Sequence, residues 1–314
     1  MCSVDEQTEI LLRSEIRRVL SSFFDDRNAN YGEVLTSNAN VVFDGLRHWD
    51  PQKLSTALVH DDDYVVFSHL RDKNSLVLDI GAHFGYSVAS IWAAGCKSRI
   101  LSFEPTLAYA EPLESLNRLT YGRSSFLPVG LGRAFGIKQH VTPVLNGIAI
   151  GALSTMNPQP DLQSLEKNIV DYFFQHIKAD VFQQFRLLIS EVTVRSLDEL
   201  AASPDNPFKD AAVSAIKIDV EGYEVEVLLG GTYFLQQHKP LLLVENGHKN
   251  LDIVAILEPL GYRPAKRIGR TLVPSALQLN SLNGFFYHQA NEALYEGLGL
   301  LERDADLAWP ECID

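Results

Sequence analysis

The stretch "SLVLDIGAHFGYS", residues 75 to 87, runs from apolar Leu76–Leu78 straight into Asp79, followed by Gly81 and Gly85. A carboxylate at the tip of a buried strand repels phosphate and suits a ligand carrying an ammonium or sulfonium group. The glycines are spaced G-x-x-x-G, not the G-x-G-x-x-G that wraps a dinucleotide pyrophosphate. Gly81 lets backbone come close to a ligand, and Gly85 allows tight helix–strand contact. The next apolar run, "RILSFEP", ends in Glu104, placed to accept hydrogen bonds from both hydroxyls of a ribose. Asp79, Gly81, Gly85 and Glu104 thus describe a pocket for a cationic nucleoside without phosphate. S-adenosylmethionine fits that description.

A second group lies in "AIKIDVEGYEVEVLLGG", residues 215 to 231. With a strand period of two, Lys217, Asp219 and Glu221 share one face. Three charges on an apolar strand are costly if buried alone. Either they pair with one another or the strand end opens into an active site. The run "KPLLLVENGHKN" ends in Glu245, with Asn246 and His248 beyond it. His248 could serve as a general base near neutral pH, or simply be an exposed loop residue. Asp219, Glu221 and Glu245 could instead hold Mg²⁺, which takes oxygen ligands.

These residues need a scaffold. Apolar, β-rich runs at 76–80, 99–103, 125–129, 214–219 and 240–245 alternate with helical candidates near 86–95, 107–119, 223–236 and 250–260. That alternation predicts an α/β fold, a parallel sheet covered by helices on both faces. "RTLVP" and "GFFYH" suggest a closing antiparallel hairpin. Residues 6–24 form a helix with Ile10, Leu11, Ile16, Val19, Leu20 and Phe23 near one face, which needs a partner in the main domain or a second subunit. The expected organisation is a helical N-terminal extension over 1–60 and a main domain over 61–314. An insertion at 136–190 contains a long helix candidate, "DLQSLEKNIVDYFFQHIKADVFQQF", and is expected as a lid or a surface decoration.

The 314 residues carry 27 Lys and Arg against 40 Asp and Glu, a net charge of −13. That balance argues against nucleic acid as a partner. Three scattered cysteines, Cys2, Cys96 and Cys312, make neither a disulfide framework nor a zinc knuckle, so no structural metal is expected. No apolar run reaches membrane-spanning length and the N-terminus does not read as a signal peptide, which predicts a cytoplasmic protein. The basic cluster Arg263, Lys266, Arg267 and Arg270 is either a solvated turn or a grip for an anionic acceptor.

"LVLDIGAHFG", "SFEP", "VGLG" at 129–132, "VRSLDEL" at 194–200 and above all "IKIDVEGYEVEVLLGG" resemble the FkbM family of S-adenosylmethionine-dependent methyltransferases over roughly residues 62 to 290. The resemblance implies a class I methyltransferase fold, Rossmann-like, of seven mostly parallel strands with the last antiparallel. It also implies O-methylation of a hydroxyl on a sugar or polyketide-type small molecule. By position, Asp79, Gly81, Ala82, His83 and Gly85 would line the methionine end of the cofactor, Glu104 would hold the ribose, and Pro105 would shape the adenine side. Asp219 and Glu221 would face the methyl group or the acceptor. His83 stands where the family usually has Asn. Asp219 is expected to position or deprotonate the hydroxyl, with His248 the rival base and Lys217 the charge that keeps Asp219 ionised. Two rivals remain: an NAD-dependent oxidoreductase, and an inactive cofactor-binding scaffold. The apolar N-terminal helix leaves a homodimer open. Ser196 to Glu199 reads as a capping box.

Overall fold

The apolar runs form the central sheet of the protein, here in a computed structural model that describes residues 6–24, 34–36, 41–44, 49–177, 183–209 and 211–302. Cys2, Cys312 and the polar stretch at 25–33 lie outside those residues. The strand order is Thr271–Pro274, Tyr262–Ile268, Asn283–His288, Leu241–Glu245, Val213–Ile218, Leu76–Ile80, Arg99–Phe103 and Ser124–Leu127. The last five are mutually parallel. Asn283–His288 runs antiparallel to Leu241–Glu245 and to Tyr262–Ile268.

Eight strands replace the expected seven, because Thr271–Pro274 adds an edge strand against Tyr262–Ile268. "RTLVP" and "GFFYH" therefore do not pair with each other; Tyr262–Ile268 lies between them. Its alternating charges masked a strand that is half exposed, with Arg263, Lys266 and Arg267 among its partly buried positions.

Both faces of the sheet are apolar. Leu78, Ile80, Ile216, Ile218 and Leu242 pack on one side with Phe234 and Leu235 of the helix Thr232–His238. Val77, Ala215 and Leu243 pack on the other with Val88 and Ile91 of the helix Tyr86–Ala93. The expected helix at 223–236 is broken by Gly230 and Gly231 into Glu224–Leu229 and Thr232–His238. Ser196 caps the helix Leu197–Ala202 by accepting from the Glu199 N–H at 3.1 Å.

The chain divides into two units. One holds Arg47–Phe135, Val194–Val220 and Glu224–Asp314, including the sheet above; the other holds Met1–Leu46, Gly136–Thr193 and Glu221–Tyr223. Residues 1–46 and 136–193, separate in the sequence as extension and insertion, thus belong to one unit. Its sheet joins Val34–Leu35, Phe185–Arg195, Gly136–Leu145, Ile148–Ala149 and Val42–Phe43 in that order. The long helix candidate ends as a helix at Tyr172, continues as a π-turn to Ile177, and its final residue Phe185 already starts a strand.

The helix Glu6–Phe24 finds its partner within this unit. Leu12, Ile16, Val19 and Leu20 are buried with Val141, Ile169, Val170 and Phe173. Ile10 and Leu11 are exposed, so the buried stripe is narrower than the sequence suggested. Arg17 grips the buried Glu166 with two hydrogen bonds of 2.8 and 2.9 Å. Ile16→Ala should therefore cost about 2–5 kcal/mol in urea denaturation. Leu11→Ala should change stability by less than about 0.5 kcal/mol.

Candidate active site

Ligands of open α/β sheets bind beyond the carboxyl ends of the strands, where the strand order reverses. Here that point falls between Leu76–Ile80 and Val213–Ile218, because the chain builds outward from the first in one direction and from the second in the other. Register places Lys217 beside Asp79, and Asp79 beside Ser102. A polar row thus crosses an otherwise apolar face at the switch point.

Lys217 is buried and all its reach is used. Its Nζ donates to the Gly81 carbonyl at 2.7 Å and to Ile80 O at 3.4 Å. It lies 3.3 Å from Asp79 Oδ1 and 3.4 Å from Asp219 Oδ2. Burial opposes the ammonium's charge, but Asp219 and Asp79 outweigh it and hold the Lys217 pKa above the ordinary lysine value.

Asp79 is 0% exposed. Its Oδ2 accepts from Ser87 at 2.6 Å and from Ser102 at 3.5 Å. Its Oδ1 meets Lys217 as an ion pair without hydrogen-bond geometry. Asp79 thus presents no exposed surface of its own to the space around the loop. Its charge is spent inside, on Lys217, and it acts on the loop only through that lysine.

The loop is shaped by close approach. Gly81 has φ +81, and a Cβ there would run into the carbonyl oxygen of Asp219. Gly85 has φ +91 at the N-cap of Tyr86–Ala93, and a Cβ would run into Leu116. The tight neighbour of Gly85 is thus the helix Ala110–Leu119 rather than a strand. Gly81 and Ala82 both donate to Phe103 O, tying the loop to the next strand at 3.0 and 3.2 Å.

Glu104 ends that strand, and both its oxygens are fixed. Oε2 accepts from the His83 N–H at 2.9 Å, and Oε1 from the Thr106 N–H at 2.8 Å. Each oxygen keeps a lone pair for a ligand. His83 adopts φ +51, and its Nε2 contacts Tyr109 Oη at 2.7 Å. Asn and His are among the non-glycine residues that adopt that left-handed backbone most readily. Ala82 is buried and Pro105 half-buried beside Glu104.

Beyond the ends of Val213–Ile218 and Leu241–Glu245 opens a cavity of about 680 Å³, lined by His60, Asp61, Tyr64, Asp219, Glu245 and Asn283 among others. Glu245 is raised to about 8 by burial first and then by Asp219 and Glu224, so it carries a proton at neutral pH. Asn283 donates to Asp61 at 2.7 Å and to Asp63 at 3.1 Å, while Arg267 donates to Asp63 at 2.7 Å. The basic cluster is thereby dispersed. Arg267 serves Asp63, Arg270 donates to Ala94 O, and Arg263 donates to Tyr262 O.

One expected site residue is engaged elsewhere. His248 is buried; its Nε2 contacts Phe285 O at 3.0 Å, and its Nδ1 accepts from the Gln278 N–H at 3.0 Å. Burial lowers its pKa against the hydrogen bond to Phe285. Both ring nitrogens serve the backbone, so neither is left to take a substrate proton. Glu221 does not share the strand face of Lys217, because the strand ends at Ile218. It sits in a turn with φ +52, its carbonyl accepting from Thr155 Oγ1 at 2.7 Å. His60, Asp61, Tyr64 and Asn283 were not singled out in the sequence, since each reaches the cavity only through tertiary packing.

The switch-point sheet, glycine loop and strand-tip carboxylate define an α/β protein of the nucleoside-cofactor kind. Residues 79–264, more than half of the chain, match the methyltransferase FkbM domain. The chain belongs to the FkbM methyltransferase family. Among solved structures, it is similar to an FkbM methyltransferase from Methylobacillus flagellatus KT at 17% identity and TM-score 0.39, covering 76% of this chain and 58% of that one. The chain thus spans little more than half the length of that structure. A SAM-dependent methyltransferase from Aquifex aeolicus is similar at 12% identity and TM-score 0.34, with 76% and 98% covered. No curated protein matches the chain. Among the described residues, no helix is long and apolar enough to cross a membrane.

Two outcomes follow from the charges. Lys217→Met strands Asp79 in the interior and should cost about 3–5 kcal/mol in chemical denaturation, with part regained in the Lys217→Met/Asp79→Asn double variant. Glu245 has a folded pKa above its unfolded one, so its contribution to stability is present at low pH and lost as pH rises toward about 8. Glu245→Gln, which cannot ionise, should therefore gain stability relative to the parent between about pH 5 and 8. Urea titrations at several pH values check this.

Proposed function

We propose that the protein transfers the methyl group of S-adenosylmethionine to a hydroxyl oxygen of a small molecule, of the sugar or hydroxylated natural-product kind. The observation that carries the reading is Glu104. It stands at the carboxyl end of the strand after the glycine loop, both oxygens oriented by backbone N–H groups and each with capacity left. A carboxylate so held suits a ribose diol and repels a phosphate. The cation at the loop, Lys217, is consumed by Asp79, Asp219 and the Gly81 carbonyl and offers nothing to a phosphate.

These residues fit the cofactor. Glu104 would hold the ribose, with Pro105 on the adenine side, and the Gly81–Gly85 loop would back the methionine portion. When bound, S-adenosylmethionine supplies an electrophilic methyl group on a sulfonium. The chain supplies position and proton handling. The cavity seats the acceptor. Asp219 on its wall accepts a hydrogen bond from a second hydroxyl of the acceptor and so aims the reacting oxygen. Lys217, 3.4 Å from Asp219, balances that carboxylate's charge.

Calorimetric titration with S-adenosylhomocysteine, S-adenosylmethionine and NAD tests the reading. The first two should bind in the micromolar range and NAD should not; the reverse order would sink the proposal. Glu104→Ala should weaken S-adenosylhomocysteine at least about tenfold, which is about 1.4 kcal/mol. Asp219→Asn should leave that affinity nearly intact. Its effect should appear in transfer of tritiated methyl to a panel of methyl glycosides, as lost turnover.

A further inference from the structure

We infer that His60 is the general base that takes the proton of the methyl acceptor. The inference rests on the methyl-transfer reading above and assigns a role to a residue that neither the motifs nor the matched family domain, residues 79–264, includes.

The starting point is an elimination among ring nitrogens. His248 has both nitrogens on backbone groups, and His83 has its Nε2 on Tyr109 Oη. His60 lines the same cavity as Asp219. Its Nδ1 lies 2.5 Å from Ser90 Oγ, and its Nε2 has no hydrogen-bond partner among the described residues.

The assignment requires one of the two ring tautomers, the one in which Ser90 Oγ is the acceptor. Its side chain is 0% exposed, on the helix Tyr86–Ala93, and its hydroxyl donates to Leu58 O at 3.4 Å. A hydroxyl has one proton to give. With that proton directed at Leu58, the Ser90 oxygen accepts from His60 on two sides, from its backbone N–H at 3.4 Å and from Nδ1. In that arrangement Nδ1 carries the ring proton and the lone pair sits on Nε2; with the Ser90 proton given to Nδ1 the two nitrogens exchange roles, and the tautomer is what the measurement below reads. The ring is also held in place, with Tyr86 at 4.5 Å and Tyr64 at 5.1 Å between centroids.

The surroundings keep the ring neutral. Burial lowers the His60 pKa from the ordinary value; Asp61, Asp219 and Asp79 pull it up, and Lys217 pushes it further down. A neutral imidazole with a fixed, open nitrogen is what proton abstraction near neutral pH requires. In the step itself, His60 Nε2 takes the acceptor's hydroxyl proton while the oxygen bonds to the methyl carbon. The electron pair of the breaking carbon–sulfur bond goes to sulfur, turning a sulfonium into a neutral thioether. The imidazolium so formed then releases its proton to water. Asp219 aims the hydroxyl from the same cavity wall, and His60 removes its proton.

The decisive measurement needs no acceptor. Long-range proton–nitrogen NMR of the histidine-labelled full chain, saturated with S-adenosylhomocysteine, reads tautomer and titration together, with His60 assigned through His60→Gln. The expected result is the Nδ1–H tautomer with a midpoint below about 6.5, and loss of that tautomer preference in Ser90→Ala. An Nε2–H ring in the parent protein, or a midpoint above about 7, overturns the assignment. In parallel, diethyl pyrocarbonate should modify His60 and spare His248; the opposite order also overturns it. With methyl α-glucoside as probe acceptor, His60→Gln should lower kcat by about 100-fold or more at unchanged S-adenosylhomocysteine affinity. Equal turnover by parent and variant would remove His60 from the reaction. Failure of S-adenosylhomocysteine to bind the parent protein is a different outcome, since it strikes the methyl-transfer reading and leaves the NMR result for His60 to stand or fall alone.

Discussion

The ammonium of Lys217 holds the site together. It sits where the sheet changes direction, buried between two strands that are adjacent in space and far apart in sequence. Removing a charge from water costs several kcal/mol, and only good geometry with more than one partner repays it. Lys217 has two carboxylates and two carbonyls. Because one of those carbonyls belongs to Gly81, the same contact that neutralises Asp79 also pins the loop. The close approach of Gly81 to the Asp219 carbonyl completes the constraint, since no side chain fits there. Loop, strand tip and cavity wall therefore form one mechanical piece.

What could be read from sequence follows from how local each signal is. The five parallel strands were visible because each is an uninterrupted apolar run. Glu104 was visible because a strand-terminal acid after a glycine loop is a short-range pattern. Asp79 stood out in the sequence as a special residue, and its pairing with Lys217 did not. Its type and position do not say whether a carboxylate looks outward to a ligand or inward to a lysine 138 positions later. The pairing was open in the sequence reading, which allowed Lys217 to pair or to face the site; the structure has it bridge both Asp79 and Asp219.

The histidines show the limit most clearly. His248 stood next to a strand-terminal acid and looked like a base; burial against Phe285 and Gln278 makes it a clasp between backbone segments. His60 precedes three aspartates in an unpromising polar run, and its chemical character comes from Ser90, Tyr86 and Tyr64. Likewise, the N-terminal helix and the insertion carry no mutual sequence signal, yet they share a core of Leu12, Ile16, Ile169 and Phe173. Helical periodicity alone placed Ile10 and Leu11 on the buried face; the narrower stripe set by that core leaves them outside.

The cavity sets two carboxyl groups in contrasting circumstances. Asp219 has Lys217 as a counter-charge at 3.4 Å. Glu245, at the tip of the neighbouring strand, has no hydrogen bond or ion pair among the described residues and retains its proton to about pH 8. A carboxylate beside a counter-charge accepts hydrogen bonds, and a protonated carboxyl can donate one. A hydroxyl-bearing guest needs both, an acceptor for its own proton and donors for its other oxygens. Asp219 supplies an acceptor and protonated Glu245 a donor, while both N–H groups of Asn283 are already given to Asp61 and Asp63. The protonation pattern of the cavity follows the same electrostatic rule as the Lys217 cluster: each charge is either paired or removed.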